Sequence, residues 1–308
     1  MTYIFLFPGQ GSQTYRMGLE LYRELPECRR VFDEAGSEIK SRIFEGRAQD
    51  LQKTEHLQPA ISVVNAACLA ALRERGVQAD AVAGHSLGEY SAAYAAGMLG
   101  LADLVALTTI RGSLMAAAAA TRPGGMLAVT GLTDAQCGGV VVEAASAGVI
   151  CIANFNSPDQ VVFSGERSAL QRVAELASTM GARKVSELPV SGAWHSPMMS
   201  ANRHQFETEL QAFRFRDAEM DLYSNVTAEP TRNGATIREL LVRQYDSSVL
   251  WLQTMRNMIR DYPHAEFVEV GPGRVLTGLL LSIDRSRVVH RVDSPSSLNS
   301  FLRKAGKL

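Results

Sequence analysis

Short apolar runs alternate with helical stretches through the first third of the chain. Tyr3–Phe7 (YIFLF) is apolar throughout, the pattern of a strand buried on both faces of a parallel sheet. Residues 59–75 (PAISVVNAACLAALRER) predict a helix, residues 80–83 a second short strand, and residues 88–99 and 101–119 two consecutive helices. The alternation returns near the end, where 265–270 (AEFVEV) is strand-like, Gly271-Pro272-Gly273 turns the chain and 275–283 (VLTGLLLSI) is helical. Strand and helix in alternation predict a mainly parallel, doubly wound α/β sheet covered on both faces.

The middle of the chain has a different rhythm. Residues 124–132 (GGMLAVTGL) predict a strand, and Thr133 with Gln136 forms a capping box that opens a helix to about Ala147. Residues 148–165 predict two strands joined by the turn Asn156-Ser157-Pro158-Asp159. An amphipathic helix follows over 166–181, closed by Gly181, and then a strand over 182–190. The order β-α-β-β-α-β is the ferredoxin-like split βαβ pattern. Residues 123–191 therefore form a small inserted domain, and residues 1–122 plus 192–308 the large α/β domain. The crossings are expected at Arg122-Pro123-Gly124-Gly125 and at Ser191-Gly192.

Composition narrows the class. The 308 residues are 46% hydrophobic, enough for a substantial core. Thirty-one basic residues balance 32 acidic ones for a net charge of −1, which argues against a dedicated nucleic-acid binder. Cys28, Cys68, Cys137 and Cys151 are scattered, with no C-x-x-C pair, and are expected to be reduced and mostly buried. The N-terminal apolar run lacks a basic flank and breaks at Pro8, and the alanine run at 116–120 is too short to cross a bilayer. The expectation is a soluble, cytoplasmic protein with no membrane or nucleic-acid partner.

Gly84-His85-Ser86-Leu87-Gly88 matches G-x-S-x-G, the strand-to-helix turn that presents a serine hydroxyl above a sheet. A strand-like Ala81-Val82-Ala83 precedes it and a helix-like stretch follows, which is the context the motif requires. The alternative is a helix entry whose serine is merely an N-cap. A serine hydroxyl needs a general base within reach. His85 is adjacent in sequence but points away on such a turn. His56, His204, His264 and His290 stand in polar surroundings and are expected at the surface. His195 lies in the small-residue loop Ser191–Pro197, just after the inserted domain, where a cleft wall is expected; the alternative is a structural loop histidine. Arg111 falls on the apolar stripe of Leu104, Leu107, Leu114 and Met115. A guanidinium there needs an anion or several acceptors, either a ligand carboxylate or an internal salt bridge.

FPGQGSQ (7–13), GHSLGEY (84–90), Arg111-Gly112, NFNSP (154–158), SGAWHSP (191–197) and EVGPGRVLTG (269–278) follow one another in order. Together they resemble the malonyl-CoA:acyl-carrier-protein transacylases of fatty-acid or polyketide synthesis, over essentially the whole chain. The resemblance implies an α/β-hydrolase-like large domain with Ser86 as nucleophile and His195 as base. It implies an oxyanion hole from the backbone N–H groups of Gln10 and Leu87, and a backbone carbonyl, that of Gln244, orienting the histidine. It implies that Arg111 binds the free malonyl carboxylate and that Asn154 lies near the site, the alternative for Asn154 being a turn residue of the hairpin. Malonyl-CoA and an acyl carrier protein with its phosphopantetheine arm are the implied partners, with no metal or tightly bound cofactor. The carrier is acidic in this family, which makes Arg183, Lys184 and Arg274 docking candidates.

Four positions depart from the family pattern. Trp194 stands where Phe or Ser is usual and bears on the acyl pocket, and Arg16 replaces a glycine near the cleft mouth. Ser248 and Leu250 replace a common Pro and a polar or basic residue. These departures leave a discrete polyketide-type acyltransferase, or a proofreading hydrolase of carrier-bound acyl groups, as the alternative reading. A hydrolase of this kind is expected to have lost the arginine.

Overall fold

The computed structural model describes residues 1–307. Among the described residues ten strands form two sheets: β1 (Tyr3–Phe7), β2 (Ala81–Gly84), β3 (Gly125–Thr130), β4 (Ile150–Ser157), β5 (Gln160–Gly165), β6 (Lys184–Glu187), β7 (Asp221–Tyr223), β8 (Pro230–Thr231), β9 (Glu266–Val270) and β10 (Val289–Val292). The large sheet runs β10-β9-β1-β2-β7-β8 and is parallel except for the β7–β8 pair at one edge. Every residue of β1 is buried, as its unbroken apolar run requires of a central strand covered by helices on both faces.

The small sheet is antiparallel in the order β4-β5-β3-β6. Its two helices, Asp134–Ala144 and Arg167–Thr179, pack on one face and share a core there, Val140 and Val173 from the helices with Val129 and Phe163 from the strands. That is the split βαβ arrangement, opened by the Thr133 capping box, whose threonine side chain accepts from the Gln136 N–H. The small sheet is stitched to the large domain beside the cleft, through the segment after the helix Gly234–Gln244. Val249 N–H donates to the Ala153 carbonyl at 2.8 Å, and Phe155 N–H to the Val249 carbonyl at 3.0 Å. Ser248 Oγ donates to the Ile152 carbonyl at 2.6 Å, so this departure from the family pattern serves the stitch.

Several boundaries differ from the sequence reading. The helix expected from Pro59 begins at Thr54, with the proline inside it. The helix after the capping box ends at Ala144 and continues as a 3-10 turn, and the last small-sheet strand is confined to 184–187. His290, expected at the surface, is buried on β10, where it contacts Glu266 at 2.7 Å and packs against Phe301. The helix Leu101–Thr121 is long and apolar enough to cross a membrane by length and composition alone. It packs instead along the helix Thr54–Glu74 as part of the protein core. All four cysteines are free; three are buried and Cys151 is half-buried.

Candidate active site

The parallel pairing of β1 with β2, with Phe7 opposite Gly84, brings the loops after both strands to the carboxyl end of the sheet. That is where open α/β sheets place their sites. The two loops touch, because a Cβ on Gly9 would lie 2.5 Å from the His85 carbonyl oxygen and 3.4 Å from the Leu87 nitrogen. Ser86 sits at φ 52°, a left-handed conformation in which a non-glycine residue is strained, and the helix Gly88–Ala95 begins two residues later. The flanking glycines make this turn possible. A Cβ on Gly84 would fall 2.0 Å from the Gly88 carbonyl, and one on Gly88 would fall 1.9 Å from the Phe7 carbonyl oxygen.

A stability measurement tests this close packing. Gly88→Ala should cost about 1–3 kcal/mol or more through overpacking. Gly278→Ala, in an open helical position with nothing within 4 Å, should be neutral or slightly stabilising. Matched melting temperatures for the two variants would show that the turn relaxes freely.

The Ser86 hydroxyl lies 2.6 Å from His195 Nε2, and His195 Nδ1 donates to the Gln244 carbonyl at 2.9 Å. Because a carbonyl can only accept, it fixes the proton on Nδ1 and leaves Nε2 free as the acceptor facing the serine. The imidazole is 3% exposed; burial, then the nearby Arg111 charge, holds its pKa down at about 3. His195 is therefore a neutral ring at physiological pH.

Arg111 is 1% exposed. Its Nη2 donates to Ser86 Oγ at 3.2 Å and to Gln244 Oε1 at 3.1 Å, and its Nη1 to Gln58 Oε1 at 3.0 Å. All three partners are uncharged, and Nε has no partner. The guanidinium also lies 5.4 Å from the Tyr90 ring. Gly112 lets the helix carrying Gln58 come this near, since a Cβ there would sit 2.9 Å from the Thr54 carbonyl oxygen.

Beneath Ser86 lies a clamp that the sequence reading missed. Ser86 N–H donates to Asn225 Oδ1 at 2.7 Å, and Gln244 Nε2 donates to the Ser86 carbonyl at 2.9 Å. Asn225 Nδ2 also donates to the Gly84 carbonyl at 2.7 Å. Glu89, fully buried, accepts from Gln244 Nε2 on one oxygen at 2.5 Å and from Asn225 N–H on the other at 3.2 Å. Burial pushes its carboxyl up to about 7 against the pull of these hydrogen bonds. Glu89 lies inside the GHSLGEY run, which is the signal that could have found it; Asn225 and Gln58 carry no motif.

Ser86, Leu87, Arg111 and His195 share a cavity of about 280 Å³ with Gln10, Asn154 and Trp194. The backbone N–H groups of Gln10 and Leu87 donate to no other group among the described residues. Asn154 reaches in from β4, with Nδ2 3.5 Å from His85 Nε2 and Oδ1 unpartnered. His85 turns away from the hydroxyl, with Nε2 2.9 Å from Asn156 Oδ1 and its ring edge-on to Trp251. Trp194 forms a buried wall, and a Cβ on Gly192 would strike its ring at 2.5 Å. Arg274 is exposed at the start of the helix Val275–Ile283, whose Val275 and Leu279 line the cavity. Lys184 is exposed on β6, and Arg183 pairs with Asp159. A neutral imidazole against a hydroxyl, beside a buried cation without an anionic partner, can drive attack on an acyl carbon whose far end is negative.

Comparison with known proteins agrees over the full chain. The acyl transferase domain family matches residues 4–287. The malonyl CoA-acyl carrier protein transacylase of Bacillus subtilis (strain 168) is 37% identical over 299 residues, covering 96% of this chain and 94% of that protein. The polyketide biosynthesis malonyl CoA-acyl carrier protein transacylase BaeC of Bacillus velezensis is 40% identical over 281 residues, covering 90% of this chain and 94% of that protein. A malonyl-transacylase solved in complex with its type II polyketide acyl-carrier protein gives a TM-score of 0.94. It is 31% identical, with 99% of this chain and 100% of that chain covered.

Proposed function

Because the chain belongs to the acyl transferase family, among its malonyl-CoA:acyl-carrier-protein transacylases, we propose that Ser86 is its nucleophile and His195 its base. The protein is an acyl-carrier-protein S-malonyltransferase of fatty-acid or polyketide biosynthesis. The Ser86 oxygen attacks the malonyl thioester carbonyl while its proton passes to His195 Nε2. The carbonyl oxygen gathers charge against the N–H groups of Gln10 and Leu87, donors of a kind worth about 3–4 kcal/mol in the transition state. The C–S bond then breaks, and coenzyme A leaves as a thiol with the histidine's proton. In the second half the carrier's phosphopantetheine thiol gives its proton to His195 and its sulfur attacks the malonyl-serine ester. Ser86 regains the proton as the new thioester forms. The scheme uses no metal or bound cofactor.

Arg111 receives the malonyl carboxylate, and the observation that carries this assignment is its setting. A guanidinium buried 3.2 Å from the Ser86 hydroxyl, with only neutral partners, is a half-built ion pair. The fork of donors matches a carboxylate in a way a lysine would not. Its presence also favours transfer over proofreading hydrolysis. Asn154 and Trp194 shape the acyl side of the pocket. The small domain is assigned to residues 123–191 and the large one to 1–122 plus 192–308. Lys184 and Arg274 are the basic positions offered to an acidic carrier, and the protein works in the cytoplasm.

The test is acyl selectivity. The protein is incubated with malonyl-, methylmalonyl- and acetyl-CoA, and both the intact protein and a carrier are weighed by mass spectrometry. Removing one partner of a buried ion pair typically costs about 3–5 kcal/mol, roughly 10²-fold or more. Arg111→Ala should lower kcat/KM for malonyl by that order and raise the relative rate of acetyl. An unchanged malonyl-to-acetyl ratio would make Arg111 a structural residue.

A further inference from the structure

Glu89 is a buried carboxyl group with no part of its own in the acyl transfer. Glu89 lies three residues after the nucleophile, in the first turn of the helix Gly88–Ala95, and touches neither the Ser86 hydroxyl nor His195. Its two oxygens hold the two residues whose side chains grip Ser86. Asn225, held at its backbone N–H, accepts from the Ser86 N–H; Gln244, held at Nε2, donates to the Ser86 carbonyl.

Gln244 connects more than one part of the site. Its backbone carbonyl receives the His195 Nδ1 proton, and its Oε1 receives Arg111 Nη2. An amide has one acceptor end and one donor end, and the two are close in size, so only its neighbours decide which way it points. Here both Nε2 hydrogens are used, one on the Ser86 carbonyl and one on the Glu89 carboxylate. Flipping the amide would set its oxygen against those two acceptors and its NH2 against the Arg111 N–H. A carboxylate in this position therefore locks the amide with its oxygen toward the arginine. A neutral group carrying a donor of its own would not.

We infer that Glu89 is a positioning residue that sets malonyl selectivity through Gln244. It fixes the amide that aims the Arg111 guanidinium at the place of the acyl group's carboxylate. The inference rests on the proposed role of Arg111.

A double-mutant cycle tests it, read on the malonyl-to-acetyl ratio of kcat/KM for transfer to a carrier. The four proteins are wild type, Glu89→Gln, Gln244→Ala and the double variant, with Arg111→Ala alongside. Loss of a hydrogen bond to a charged group typically costs about tenfold to a hundredfold. Glu89→Gln should lower the ratio by about tenfold, Gln244→Ala should lower it as well, and the double variant should fall no further than Gln244→Ala. A general loss of order around Ser86 would slow both acyl groups equally and leave the ratio unmoved. The inference is overturned if Glu89→Gln leaves the ratio unchanged, or lowers it by the same factor when Gln244 is already alanine. If Arg111→Ala itself leaves the ratio unchanged, the role of Arg111 has failed instead. Should Glu89→Gln not fold, Glu89→Asp carries the same expectation, because it keeps the charge but draws the carboxylate back by one methylene.

Discussion

Ser86→Ala should remove the covalent malonyl-enzyme altogether while leaving the fold in place. Loss of a serine nucleophile in comparable enzymes costs on the order of 10⁶ in kcat, because no neighbouring group can replace the attacking oxygen. Among the described residues the hydrogen-bond partners of the Ser86 hydroxyl are His195 Nε2 and Arg111 Nη2, neither of them a nucleophile suited to hold the acyl group. Stability should change little. The turn is held through the Ser86 N–H and carbonyl, which alanine keeps, and alanine pays the same strain at φ 52° that serine pays. The expected result is a protein that melts within a few degrees of wild type and shows no added mass after incubation with malonyl-CoA. Persistent acylation of this variant would place the nucleophile elsewhere.

Much of this architecture was legible in the sequence, for a physical reason. β1 is an unbroken apolar run, β9 carries Phe267, Val268 and Val270 beside two glutamates, and the small domain has a capping box, a Pro-Asp turn and an amphipathic helix, so local pattern and global fold agree there. The edge of the large sheet was not legible. β7 is three residues long and β8 two, too short for any periodicity to register. The start of the helix Thr54–Glu74 was hidden by Pro59, which reads as a first-turn residue but stands inside the helix. That error also concealed Gln58, which lies one residue before the proline and reaches Arg111.

The site divides along the same line. Ser86 and Arg111 carried their own signals, a strained turn between glycines and a charge on an apolar stripe. The clamp did not, because Asn225 and Gln244 follow Ser86 by more than a hundred residues and meet it only through the pairing of β2 with β7 and the packing behind it. One consequence sets this centre apart from a Ser-His-carboxylate triad. The group behind His195 is a backbone carbonyl, which orients the ring without bringing a negative charge to stabilise its protonated form. The carboxylate present, Glu89, acts on the amide of Gln244 and not on the imidazole.

That absence of charge shapes the expected behaviour of His195→Ala. General base catalysis typically contributes about 10²–10⁴-fold, and here the same ring serves both attacks. Acylation by malonyl-CoA and transfer to the carrier should therefore slow together by that order, as rapid-quench measurement of each half-reaction would show. If only the second slowed, the single-base scheme would be wrong. The pH dependence provides an independent check. Burial, with the Arg111 charge, holds the folded pKa at about 3 against 6.5 for the free side chain, so the ring is already an unprotonated base across the neutral range. An acid limb between pH 5 and 8 that disappears in the variant would show that the imidazole titrates there after all. Stability should follow the same shift. Between the two pKa values the unfolded chain binds a proton that the folded one does not, so this group's contribution declines as pH falls from about 6.5 toward about 3. Wild type should thus lose more stability than His195→Ala when denaturation is measured at pH 5 instead of 7.5. An equal loss in both would mean that the ring titrates in the folded protein as it does in the free side chain, and that its burial does not hold it neutral.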